Sequence, residues 1–175
     1  MKDIGVSDFS NNIFEMSEDS IYKVIEKFKD YQNVDRTITY IFIKAFYLHI
    51  VKIYLNNKNN LKYFDKIYLQ YKVELNAYYK NNNYMITQEL LNDIMEAFDK
   101  CFEIVESLNY TDLDDGYEFR HHVINCFDLL IQILENKSKS KIRTDIFENF
   151  ISVFRNQAEK MIDFTSNCNI LDENL

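Results

Sequence analysis

The chain has 175 residues, of which 47% are hydrophobic and 15% aromatic, with no proline, no tryptophan, two glycines (Gly5 and Gly116) and a net charge of −8. The apolar share is enough for a core and the length suits one domain. So few turn formers exclude collagen-like and proline-rich segments, argue against sandwiches, barrels and Rossmann-type folds, and leave no glycine-rich phosphate loop.

Asparagine, isoleucine and lysine are over-used, a bias toward A/T-rich codons that points to a low-GC genome rather than to a chemistry. Residues 1–20 contain acids and no apolar signal core. The most apolar run, Ile38 to Leu55, is interrupted by Lys44, His49 and Lys52, groups that are costly inside a bilayer. Three widely spaced cysteines, Cys101, Cys126 and Cys168, form no C-x-x-C and fit a reduced, cytoplasmic chain better than a disulfide scaffold.

Six segments show helical spacing. The first spans about Glu18 to Gln32, with Ile21, Val24, Ile25, Phe28 and Tyr31 in one stripe and Ser17 as N-cap. The second, about Arg36 to Asn56, is capped by Asp35 and apolar nearly all round, the mark of a buried central helix. The third, about Leu61 to Lys80, carries Leu61, Phe64, Tyr68, Tyr71, Leu75 and Tyr78, and ends at the Asn81–Asn83 run. The fourth, about Gln88 to Asn109, is capped by Thr87, and its Leu91, Ile94, Phe98, Cys101, Val105 and Leu108 step by threes and fours. The fifth, about Tyr117 to Asn136, points Val123, Ile124, Phe127, Leu130, Ile131 and Leu134 inward. The sixth, about Asp145 to Phe164, is capped by Thr144, with Phe147, Phe150, Ile151, Phe154, Ala158 and Met161 inward.

Asparagine in the links can end helices because it tolerates the left-handed backbone and competes for backbone hydrogen bonds. The expected architecture is all-α: a single compact domain of about six antiparallel helices over residues 1–175. Residues 1–16 and 166–175 are expected as loosely attached ends.

Charge is unevenly distributed. Residues 36–80 carry eight bases and two acids, whereas residues 81–135 carry two bases and twelve acids. Glu96, Asp99, Glu103 and Glu106 step by 3, 4 and 3 along one face of the fourth helix, and Asp112, Asp114 and Asp115 follow in the next loop. The plain reading is a solvated face. The functional reading is a ridge that steers and holds a protein partner with a basic surface. A third reading is internal, with the basic third helix packing on the acidic fourth. Lysines interleaved with tyrosines on the third helix resemble a single-strand platform. Those tyrosines fall on its apolar face, however, so direct nucleic-acid binding is not expected. The same tyrosines, where exposed, permit a homodimer.

Candidate chemistry is thin. Glu118 and His121 form one Glu-x-x-His, but the second copy that a di-metal bundle needs is missing, and His121 sits on a polar stripe. His122 and Cys126, at i,i+4, suit a metal or a nucleophile–base pair only if another helix supplies a third member, and His49 is the only histidine left. The Thr111–Gly116 segment fails as a calcium loop at Leu113 and His122, and reads as a turn with Gly116 supplying its dihedral. Pairs such as Glu96/Asp99 and Glu103/Glu106 suit Mg²⁺ only with facing carboxylates. No G-x-S-x-G is present.

No catalytic residue, cofactor or metal is expected. The leading expectation is a non-catalytic acidic helical protein that regulates or inhibits a partner. The alternatives are a sensor that encloses an apolar ligand in the bundle and a metal-dependent all-α nucleotide hydrolase.

Overall fold

The structure, a computed structural model, describes residues 1–29, 35–110, 116–138 and 147–172. Tyr31, Gln32, Thr144, Asp112, Asp114, Asp115 and the Thr111–Asp115 turn lie outside the described residues. The described elements are β1 (Lys2–Gly5), α1 (Val6–Met16), α2 (Glu18–Lys27), α3 (Arg36–Asn57), a 3-10 turn (Leu61–Tyr63), α4 (Phe64–Asn82), α5 (Gln88–Glu106), α6 (Gly116–Ser138), α7 (Phe147–Ser166) and β2 (Cys168–Leu171). Only Ser17 separates α1 from α2, and its backbone is itself helical. Counted as one interrupted rod, the pair leaves six rods in an all-α bundle.

The bundle is built around α3, which packs on α1, α2, α4, α5, α6 and α7. Thirteen consecutive residues, Thr39 to Val51, are buried. That explains why the helix is apolar on every side: each face meets a neighbour. It is the one described helix long and apolar enough to cross a bilayer, and 83% of its apolar window is buried inside the protein. Caps form where the sequence places them. Asp35 accepts from Ile38 N at 3.0 Å, and Thr87 Oγ1 accepts from Leu90 N at 3.2 Å. Among the described residues Asn59 (φ 57°) and Asn109 (φ 51°) are the positive-φ residues other than glycine, each just past the end of a helix. Asparagine therefore does here the work that glycine does at many helix C-termini.

Several expectations are corrected. Among the described residues, 1–16 and 166–172 pack into the fold rather than hang from it. Phe9 and Ile13 of α1 are fully buried, each worth about 1.5–3 kcal/mol of transfer free energy. Ser10 donates to Ile67 O of α4 at 3.2 Å, and Phe9 stacks on Phe164 of α7 at 5.7 Å. β1 and β2 pair in parallel, with Ile4 opposite Ile170, both buried.

Ser17 is not a side-chain cap. It donates to Phe14 O at 2.7 Å and receives Lys44 Nζ at 2.5 Å. Gly116 is the first residue of α6 rather than part of the turn. The tyrosines of α4 are not a free surface: Tyr71 is fully buried, and Tyr68, Tyr78 and Tyr79 are half-buried against the core. These tyrosines therefore give α4 no exposed aromatic face.

Lys44 shows how α3 holds a charge at its centre. Its side chain has no solvent exposure, and Nζ lies 2.7 Å from Glu18 Oε1, 2.5 Å from Phe14 O and 3.6 Å from the centre of the Phe14 ring. Tyr40 also donates to Glu18 Oε1, at 2.5 Å. Burial pulls the ammonium down to about 8, and Glu18 opposes that shift, so the group stays charged at neutral pH. The pair locks α3 to the α1–α2 junction, where carbonyls at the end of α1 need donors.

Candidate functional site

The structure divides the acidic ridge of α5 in two. Asp99 takes both oxygens to Lys72 Nζ of α4, at 2.8 and 2.6 Å, and accepts from the Tyr68 hydroxyl at 2.6 Å. Burial, then the bond to Asp99, pushes the Tyr68 phenol up. Glu106 pairs with Lys52 of α3, whose ammonium lies 4.9 Å from the Phe64 ring and 5.5 Å from the Phe102 ring. These two acids are half-buried and clamp α5 to both neighbours. Ammonium groups, not carboxylates, face them, so they are not half of a Mg²⁺ site. The internal reading, with the basic third helix on the acidic fourth, thus holds for Asp99, whereas Glu106 is answered by Lys52 of the central helix α3.

Glu96 and Glu103 are different. Both are exposed, and the partner of Glu96 is Lys100 on its own helix, at 2.5 Å. The N-terminal half of α5 adds exposed Glu89 and Asp93. Beside them is the α4–α5 turn, where Tyr84 and Met85 are essentially fully exposed and Leu90 is 45% exposed. Local residue types account for the geometry: the Asn81–Asn83 run ends α4, Asn83 Oδ1 accepts from Met85 N at 3.1 Å, and Thr87 starts α5. The signal for this tip was present in the sequence as Tyr84-Met85 between two polar helix ends. Helical spacing assigns these two residues to no face, so no periodic signal marks the tip.

Two clefts flank the Lys52–Glu106 bridge. One, of about 620 Å³, is lined by Lys62, Phe64, Asp65, Tyr68, Phe102 and Glu103. The other, of about 280 Å³, is lined by His49, Ile53, Asn56, Asn109 and Tyr110, and both share Lys52, Leu61 and Glu106. Both open to solvent, so neither encloses a ligand inside the bundle.

The fold also brings His49 to His122. Their rings lie 5.4 Å apart, with Tyr110 stacked on His122 at 4.3 Å and Cys126 Sγ 3.8 Å from His122 Nε2. Burial, aided by Lys52, pulls His49 down to about 4, and burial, aided by His49, pulls His122 down to about 3. Burial pushes the Cys126 thiol up. At neutral pH all three are uncharged. A nucleophilic cysteine works as a thiolate beside a charged partner, so this trio is a packed polar cluster rather than a reactive pair. Among the described residues no group of three His, Cys, Asp or Glu side chains is placed to hold a metal ion. Glu118 and His121 are exposed. The three cysteines are buried and none is in a disulfide.

Comparison of the chain with protein-family models, curated proteins and solved structures finds no match.

Proposed function

We propose that the chain is a non-catalytic, cytoplasmic binding protein that regulates or inhibits a protein partner with a basic surface. The contact face on this reading is the α4–α5 tip with the outer side of α5. The carrying observation is the exposure of Tyr84, Met85 and Leu90 next to exposed Glu89, Asp93 and Glu96. Exposed apolar side chains rimmed by like charge suit a partner that supplies its own pocket and basic rim. Asp99 and Glu106 drop out of the expected contact set because their charge is already answered within the fold. Asp112, Asp114 and Asp115 stay in it, on sequence position alone.

Affinity capture from the native host tests this, with the partner identified by mass spectrometry. Wild-type protein captures a basic protein. Tyr84→Ala with Met85→Ala, at sites that touch no core, abolishes capture while helicity and Tm are unchanged. Equal capture by wild type and the double variant rejects this face.

A further inference from the structure

We infer that the chain pairs with a second copy of itself, α4 of each lying on α5 of the other across the outer face of the α4–α5 hairpin. This pairing rests on the reading of α5 as a contact face, and names what meets that face when no other partner is bound.

The outward stripe of α4 is apolar at its middle and basic at its ends. Leu69 and Val73, one turn apart, are 65% and 57% exposed. Exposed Lys66 and Lys80 flank them, and Lys66 also meets Asp172. Asp65 turns aside into the larger cleft. The outward stripe of α5 has the opposite sign: Glu89, Asp93, Glu96 and Glu103 are exposed, with Lys100 tied to Glu96. The two strips lie side by side on one molecule and complement each other in charge.

Register and symmetry then agree. Within the antiparallel hairpin, Lys72 stands level with Asp99, Tyr71 with Phe98 and Phe64 with Phe102. Continued along both helices, that register sets Lys80 level with Glu89, Val73 with Glu96, Leu69 with Lys100 and Lys66 with Glu103. A two-fold axis parallel to the helices keeps every height and lays α4 of one copy antiparallel on α5 of the other. Lys80 then meets Glu89 of the second copy, and Leu69 and Val73 cover the aliphatic stems of its Lys100 and Glu96. The two-fold perpendicular to the helices lays α4 on α4 instead. It sets Lys80 against Lys66 and Glu89 against Glu103, so like charge meets like and that arrangement is disfavoured.

Size sets the strength. Two helices of 19 residues present a face about 28 Å long and about 20 Å wide. Roughly 1,100 Å² is then buried over both copies, just above the ~1,000 Å² that a specific interface needs. The dimer is therefore weak. A tighter basic partner displaces the second copy from Glu96 and Glu103, and both α4–α5 tips stay exposed at one end.

The test is sedimentation velocity of the purified full chain from about 5 μM to about 1 mM. About 0.15 M salt screens the repulsion between two chains of net charge −8 beyond about 8 Å. The expected result is a monomer–dimer equilibrium in the upper micromolar range. Lys80→Glu and Glu89→Lys, both at exposed sites, are each expected to weaken pairing about tenfold. An equimolar mixture of the two variants is expected to restore it, because each new charge meets its opposite on the other copy. Leu69→Asp is expected to abolish pairing with helicity unchanged. A chain that stays monomeric throughout overturns the pairing, as does a mixture that associates no better than either variant alone. Neither result touches the partner reading, which capture through Tyr84 and Met85 tests separately.

Discussion

Lys44 and Lys52 lie two turns apart on the same helix, and each meets one glutamate. Lys44 is sealed against Glu18 with no solvent exposure, while Lys52 meets Glu106 at the mouth of two clefts with 31% of its side chain exposed. The first ties α3 to the chain's N-terminal rod, deep in the bundle. The second joins α3 to α5 where solvent reaches. Burial, not residue type, separates an ion pair that sustains the fold from one that edges a surface.

The largest expected effect comes from opening the buried pair. Lys44→Ala strands the Glu18 carboxylate and removes the donor from Phe14 O, and about 3–5 kcal/mol of stability is expected to be lost. Urea unfolding measures this. Replacing both partners, with Lys44→Met and Glu18→Leu, is expected to recover part of the loss, because no charge is then left unpaired.

Acid is expected to act next most strongly, through the histidines between the two pairs. Their folded pKa values, about 4 for His49 and about 3 for His122, lie below the ordinary value near 6.5. The unfolded chain therefore takes up protons first as pH falls. Stability is complete above about pH 6.5 and declines through the window down to about 4 and then 3. Each histidine accounts for roughly 2 kcal/mol of loss between pH 7 and pH 5. Unfolding midpoints at pH 7, 6 and 5 check this, and His122→Phe is expected to make the decline shallower.

A smaller effect is expected from Asp99→Asn. It removes the half-exposed pair with Lys72 but keeps an acceptor for Tyr68, a loss of about 1 kcal/mol. Differential scanning calorimetry resolves a change of that size. Glu96→Gln, which removes only a solvent-exposed pair on one helix, is expected to leave Tm unchanged.

The sequence carried the long helices well, for a physical reason. The 3–4 stepping of Leu91, Ile94, Phe98, Cys101 and Val105 is a local signal, and all five side chains are buried. Asp35 and Thr87 likewise cap through atoms three residues away. The N-terminal rod was legible in part: Val6, Phe9, Ile13 and Phe14 have helical spacing, but intervening Ser10 and Asn12 resemble a polar tail until Ser10 is seen packed against α4. The β1–β2 pairing was not legible, because four-residue strands at opposite ends of the chain leave no periodic trace. Nor could helical spacing foretell that Asp99 and Glu106 face ammonium groups: a face of one helix is local, whereas what packs on it is not. The same limit hid the meeting of His49 with His122.

The division of the α5 ridge into a structural and a presented half is the central claim, and one matched pair of variants tests it most directly. Glu96→Lys with Glu103→Lys is compared with Asp99→Asn with Glu106→Gln, each assayed for Tm and for capture of the partner at a temperature where both are folded. The expected result is unchanged Tm with capture lost for the first, and lowered Tm with capture retained for the second. Capture that survives reversal of Glu96 and Glu103 yet fails on neutralising Asp99 and Glu106 would contradict the account.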